Sequence, residues 1–498
     1  MFPDATVKTI HKQFYGKNHV KNADLLIQVG LIQERLDNDD LALRCFVEAL
    51  KIRRKLLEKN HRDIAAATVC VGRVHQAISD HVKAITLFQD AIKIYEESDG
   101  DVVSSECGSA FRLLGLSQTA IGESDSAVAS LEFCVDCRAR IFGTESKEWA
   151  EAAYSLGVAK SEAGLHDDAI SLFEEFVLRQ KSFDDSDLQS LANAMLSLGK
   201  IYANKRKVEN AMACFDEAFG FMQQACNDQG SSEVLFQIGS LRESKKQYLE
   251  SLECYEKSLK LRIAAVGEDE VTADIVSRIG ELHRIRGHYD LAMDKFTLAL
   301  DMYKCAIGET HLSVANTYHS LGYVCDAMDD VPKSMQNHKE GLSVRKLILG
   351  ANHVLIASSL DDIAGMYQKQ NEHQKALKCL KEALRIRRLQ LHDDDIEISK
   401  TLFGMGIIFA AINDNENATE CYKTSLEISS RTGSHPKLEA QTLHQIGCLE
   451  AAKCNYREAL HNWRTCLSKY RESGLRDDHY MVACTLGNIE MAENVLRT

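Results

Sequence analysis

Large apolar side chains return along this chain at a fixed place between small ones. One series of small residues runs Gly30, Gly72, Gly115, Gly157, Gly199, Gly239, Gly280, Gly322, Ala364, Gly406, Gly447 and Gly487, in steps of 40 to 43 residues. Twelve positions after most of these anchors stands another small residue, as at Ala42, Ala84, Ala169 and Ala292. Four further on comes a large one, as at Phe46, Phe88, Leu131, Phe173, Tyr422 and Trp463, with His338 the exception. Three beyond that, the residue is usually small again, as at Ala49, Ala91, Ala299 and Gly341. Two helices cross closely only where one presents Gly or Ala, and the large side chain then fills the gap beside the crossing. Between the positions lie LDNDD, IGESD, GLHDD and AINDN, rich in the residues that favour turns. Each period therefore predicts a helix, a short turn and a second helix. One hairpin cannot bury its own apolar face, whereas stacked neighbours can.

The join between periods also repeats. LGANHVLIAS (349–358) follows IGETHLSVAN (307–316), and VGEDEVTADI (266–275) precedes both. The phrase reads as the end of a second helix, a turn and the start of the next first helix. An Arg recurs four residues after the last small position, at Arg53, Arg138, Arg262, Arg345 and Arg387. These Arg residues, and the His of the joining phrase, are expected to tie one repeat to the next.

Composition narrows the picture. Hydrophobic residues make up 45% of 498 and charged residues 27%, which suits a folded chain too long for one compact core. There are 3 prolines, a scarcity that suits a nearly all-helical protein. The net charge of −14 argues against a nucleic-acid-binding body, which needs a basic stripe. No apolar run is long enough to span a membrane and the start has no apolar signal core, so the expected compartment is the cytoplasm.

The spacing of small residue, aromatic, small, aromatic, small resembles the tetratricopeptide repeat over at least eleven units. The period exceeds the usual 34 residues by about eight, which lengthens each helix by about 6 Å. The phrase LSVRKLILGANHVLIA further resembles the repeats of kinesin light chains and the wider nephrocystin-like group. The resemblance implies an all-α fold, an open right-handed α-solenoid of about eleven hairpins. Residues 1–20 read as a remnant second helix, 21–480 as the array, and 481–498 as the first helix of an incomplete terminal repeat. An array that starts and stops inside a repeat is expected to belong to a longer protein.

The motifs of chemistry are missing. Cys45, Cys214, Cys254, Cys379 and Cys421 each precede the large residue of a second helix, so they read as small buried hydrophobes. Cys134 and Cys137 form one C-x-x-C without a second pair, short of a zinc site. No phosphate loop, H-E-x-x-H, G-x-S-x-G or kinase signature is found. The expectation is a protein with no catalytic residue, no metal and no cofactor, and not an enzyme.

By the same resemblance, first helices line a concave groove with residues six, three and two before the anchor and one and four after it. That nominates Phe236, Arg278, Arg284, His319 and Tyr323 in consecutive repeats as a peptide-binding patch, with Tyr154, Lys200 and Phe403 as further contacts. Kinesin light chains carry Asn at both positions before the anchor; neither row holds Asn here. The function implied is a peptide-binding scaffold, in its specific form a kinesin-light-chain-like cargo adaptor. Its partners would be kinesin heavy chain or transport cargo, at the cytoskeleton or cilium. The alternatives are a signalling, polarity or complex-assembly scaffold, and the regulatory repeats of a longer enzyme.

Overall fold

The computed structural model describes residues 19–99, 103–183, 187–433, 435–476 and 479–497. Among them are 23 α-helices of 16 to 19 residues and no strand. The remnant helix expected within residues 1–20 falls almost wholly outside the described residues. The chain divides into two compact units, Met1–Gln247 and Tyr248–Thr498. The first unit holds five hairpins, from Val20–Arg35 with Asp39–Leu56 to Leu188–Asn204 with Val208–Gln224, followed by Asp228–Ser244. The second opens with Tyr248–Ala265 and holds five hairpins, from Glu270–Ile285 with Tyr289–Ile307 to Pro436–Ala452 with Tyr456–Glu472, followed by Tyr480–Arg497. Each unit is an α-solenoid in which every hairpin packs on the next.

The anchors close the hairpins as their spacing requires. A Cβ added at Gly30, Gly72 or Gly406 would stand 2.5–2.6 Å from the ring of Phe46, Phe88 or Tyr422. These rings are fully buried, each worth about 2–3 kcal/mol of apolar transfer. Pro332 and Pro436 sit in the first turn of their helices, where no intrahelical N–H is missed.

The joining phrase has a physical reading at both ends. Gly308 and Gly350 end second helices at φ 83° and 75°, a backbone region open to glycine. Three residues on, His311 and His353 cap the next first helix, Nδ1 accepting from the backbone N–H of Ser313 and Leu355 at 3.3 and 3.2 Å. The His residues are therefore caps, and the Arg residues make the ties. Arg53 donates to the Asp63 carbonyl of the following hairpin and to Asp24 of its own, both at 2.8 Å. Arg345 donates in the same way to the Leu355 carbonyl at 3.1 Å and to Asn316 at 2.8 Å.

Candidate functional site

The first helices form a wall in each unit, and the nominated residues stand along it on unequal terms. In the first unit Tyr154 is half-buried, its ring centroid 5.7 Å from Phe173 and 5.2 Å from Phe176. Lys200 reaches Glu233 of the next first helix at 2.7 Å, and Phe236 is half-buried. Phe236 thus belongs to the first unit, while Arg278, Arg284, His319 and Tyr323 belong to the second.

In the second unit Arg278 is exposed and makes no ion pair with any described residue. Arg284 is held by two hydrogen bonds to Glu281, at 2.9 and 2.6 Å. Tyr323 is 44% exposed and its hydroxyl donates to both carboxylate oxygens of Asp362 at 3.0 Å. Burial, then the Asp362 charge, push its phenol up, while Arg345 and Arg284 pull the other way. Lys369 pairs with Asp326, also across adjacent first helices. These charges are spent on carboxylates of the same or the neighbouring first helix, and Arg278 is left facing solvent. Phe403 packs against Tyr422 at 5.8 Å between centroids and lines two pockets of about 690 and 320 Å³. They are shared with Lys400, Gln441, His444 and Met481.

His319 departs from its expected place. It is 4% exposed and turns into the hairpin rather than onto the wall. Gly341 makes the room, since a Cβ there would stand 2.8 Å from the His319 ring. His319 Nδ1 lies 3.0 Å from Nδ1 of His338 and 3.5 Å from Oδ2 of Asp362. His338, on a second helix, and Asp362, two residues before its anchor, are not among the residues nominated from the sequence. The available signal was the departure of one repeat from the rest: His338 in the large slot and Gly341 in the small one.

The cysteines keep their thiols, with no disulfide among the described residues. Burial pushes Cys214 and Cys421 up to about 11, which suits inert core positions.

Comparison with known proteins fits this architecture. One tetratricopeptide-repeat profile matches residues 21–97, 231–305 and 313–389, and a second matches 192–221, together just over half of the chain. Protein KINESIN LIGHT CHAIN-RELATED 1 of Arabidopsis thaliana is 21% identical over 326 residues, 65% of this chain and 52% of that protein. KINESIN LIGHT CHAIN-RELATED 3 of the same organism is 19% identical over 318 residues, 63% of this chain and 48% of that protein. The chain spans about half the length of the curated relatives it matches. Among solved structures, a signal transduction ATPase with a tetratricopeptide repeat sensor from Pyrococcus horikoshii shares the fold at TM-score 0.57. It is 13% identical, over 89% of this chain and 68% of that one. Kinesin light chain TPR-like repeats from Podosopora anserina align at TM-score 0.37 and 17% identity, over 42% of this chain and 98% of that one.

Proposed function

The chain belongs to the tetratricopeptide-repeat family, and from that footing we propose that it is a non-enzymatic scaffold that binds partner peptides along its first helices. Within that class the reading is a cargo adaptor of the kinesin-light-chain kind, acting in the cytoplasm at the cytoskeleton. The observation that carries the peptide-binding reading is Arg278, exposed without a carboxylate partner on a wall where neighbouring charges are paired. Arg284 and Tyr323 stand along the same wall, an arrangement suited to an extended segment with an acidic group. No described helix is long and apolar enough to cross a membrane. The kinship with kinesin-light-chain-related proteins supports the transport assignment; kinesin heavy chain and its cargo are the proposed partners.

The test is affinity capture from native lysate with the full chain as bait, read by mass spectrometry. Recovery of kinesin heavy chain or transport-complex subunits is expected. Recovery of signalling or assembly partners without a motor would move the assignment to a general scaffold, and recovery of a catalytic subunit would favour a regulatory array. With a captured peptide in hand, Arg278→Glu should weaken binding about tenfold, with helicity and Tm unchanged. Phe236→Ala, measured separately, tests the first unit. Affinity unaltered by Arg278→Glu would remove this wall from the proposal.

A further inference from the structure

His319, His338 and Asp362 come from three successive helices, Leu312–Ala327, Val331–Leu349 and Val354–Lys369. Their facing atoms, the two Nδ1 and Oδ2, are 3.0, 3.5 and 3.9 Å apart. A circle through three points so spaced has a radius of about 2.0 Å, the bond length of zinc to imidazole nitrogen and carboxylate oxygen. An ion at the centre of this triangle lies in the ligand plane; tetrahedral ligands at that bond length lie about 3.3 Å apart, so a fourth ligand draws the ion out of the plane as the 3.9 Å edge closes by a few tenths of an ångström.

The surrounding bonds orient His319 and Asp362 as a metal requires, whereas Nε2 of His338 has no hydrogen-bond partner among the described residues. Ser359 has one hydroxyl proton; placed on the Leu355 carbonyl at 3.0 Å, it leaves the Ser359 oxygen as an acceptor toward the His319 ring. The Ser359 oxygen accepts from Arg345 at 2.7 Å, which leaves His319 Nε2 at 2.9 Å as its second donor. Neutral His319 then carries its lone pair on Nδ1, facing His338 and Asp362. A ligating histidine that donates its other N–H to an oxygen is the usual outer shell of a zinc site. Tyr323 does the same for Asp362. His338 is 1% exposed, and packing against Gly322 and the edge of Tyr323 holds its ring. Burial keeps both imidazoles neutral, His338 down at about 4, although Asp362 pulls each the other way.

The two imidazoles share a proton across the 3.0 Å Nδ1–Nδ1 contact, and a cation can take that proton's place. Other hairpins place Phe, Leu, Tyr or Trp where His338 stands, and Ala, Ser or Cys mostly where Gly341 stands. Both changes coincide in the repeat that carries His319.

From this geometry we infer that His319, His338 and Asp362 form a zinc site that ties the hairpin of Leu312–Ala327 and Val331–Leu349 to the next, which begins with Val354–Lys369. His338 and Asp362 also line a cavity of about 640 Å³ with Tyr323, Asp326 and Asp361. The fourth ligand position opens there, to water or to a donor from a bound partner. Arg345 donates to Ser359 in the outer shell, and at the cavity Asp326 and Asp361 are paired with Lys369 and Arg387.

The full chain, stripped with a chelator, is titrated with Zn²⁺ alone against a competing chromogenic chelator, and bound zinc is counted by mass spectrometry. Sixteen thiols make a variant comparison essential. His338→Phe restores the residue type of the other hairpins and keeps every cysteine. Wild type should hold one equivalent more than His338→Phe, and zinc should raise the Tm of wild type alone. Asp362→Asn should weaken the site at least tenfold. Cobalt in the extra site should show nitrogen–oxygen visible bands without thiolate charge transfer. Equal zinc in wild type and both variants, or thiolate bands alone, would overturn the assignment and leave a shared proton between the rings.

Discussion

A methyl group at Gly72 would stand 2.6 Å from the Phe88 ring, whereas one at Gly487 would meet nothing within 4 Å. The same residue type therefore answers to opposite forces. Gly72→Ala should cost about 1–3 kcal/mol through overpacking, and Gly487→Ala should gain up to about 1 kcal/mol through helix propensity. Thermal melts of the two variants check both signs. Arg387 is 1% exposed and holds Asp361 and Thr401. Burial pushes the Asp361 carboxyl up to about 6 even though Arg387 pulls it back. Arg387→Met strands that carboxyl and should cost about 3 kcal/mol. Arg385→Met, which breaks only the exposed pair with Glu382, should cost about 1 kcal/mol or less. Similar losses in urea titrations of the two variants would contradict the ranking. The recurrence of Arg at one repeat position foretold these ties; their acceptors depended on which first-turn carbonyl or side chain the next hairpin brings alongside.

At the scale of the helix, caps and ion pairs meet at the joins. Asp269 caps Glu270–Ile285 by accepting from the Thr272 N–H at 2.8 Å, and it pairs with Arg262. Partial burial pushes its carboxyl up, but the hydrogen bonds from Arg262 and Thr272 outweigh this and hold it at about 2. A carboxyl held below its unfolded value stabilises the fold above pH ~4, and that contribution is lost as pH falls toward 2. Asp269→Ala should therefore lower Tm at pH 7, and the gap to wild type should close on acidification. A gap constant from pH 7 to pH 2 would mean that the ionised cap contributes nothing. Helices and turns were legible in the chain because anchors, turn residues and joining phrases repeat. The role of His61, His311 and His353 as caps was not, because capping depends on a backbone that is extended at that residue.

At the scale of the molecule, each hairpin packs mainly on its neighbours, so damage should stay local. Phe88→Ala removes a fully buried ring at a cost of about 3–5 kcal/mol. Hydrogen exchange should quicken in His81–Asp99 and the helices beside it, and stay unchanged in the second unit. Loss of protection throughout both units would show a cooperativity that a nearest-neighbour stack lacks.

The sequence by itself determined the all-helical hairpin array, since a spacing repeated eleven times leaves one way to bury the large side chains. The resemblance to tetratricopeptide repeats marked the first helices as the wall to inspect. Only the tertiary structure decided which wall residues are available. Lys200 and Arg284 are engaged by neighbouring carboxylates, Tyr154 packs inward, and Arg278 stays exposed. It also turned His319 toward His338 and Asp362, 19 and 43 positions away in the chain. Periodicity records which face a residue occupies. It does not record which side chain from the next helix arrives opposite, and that meeting sets both charge pairing and the chemistry of the buried cluster.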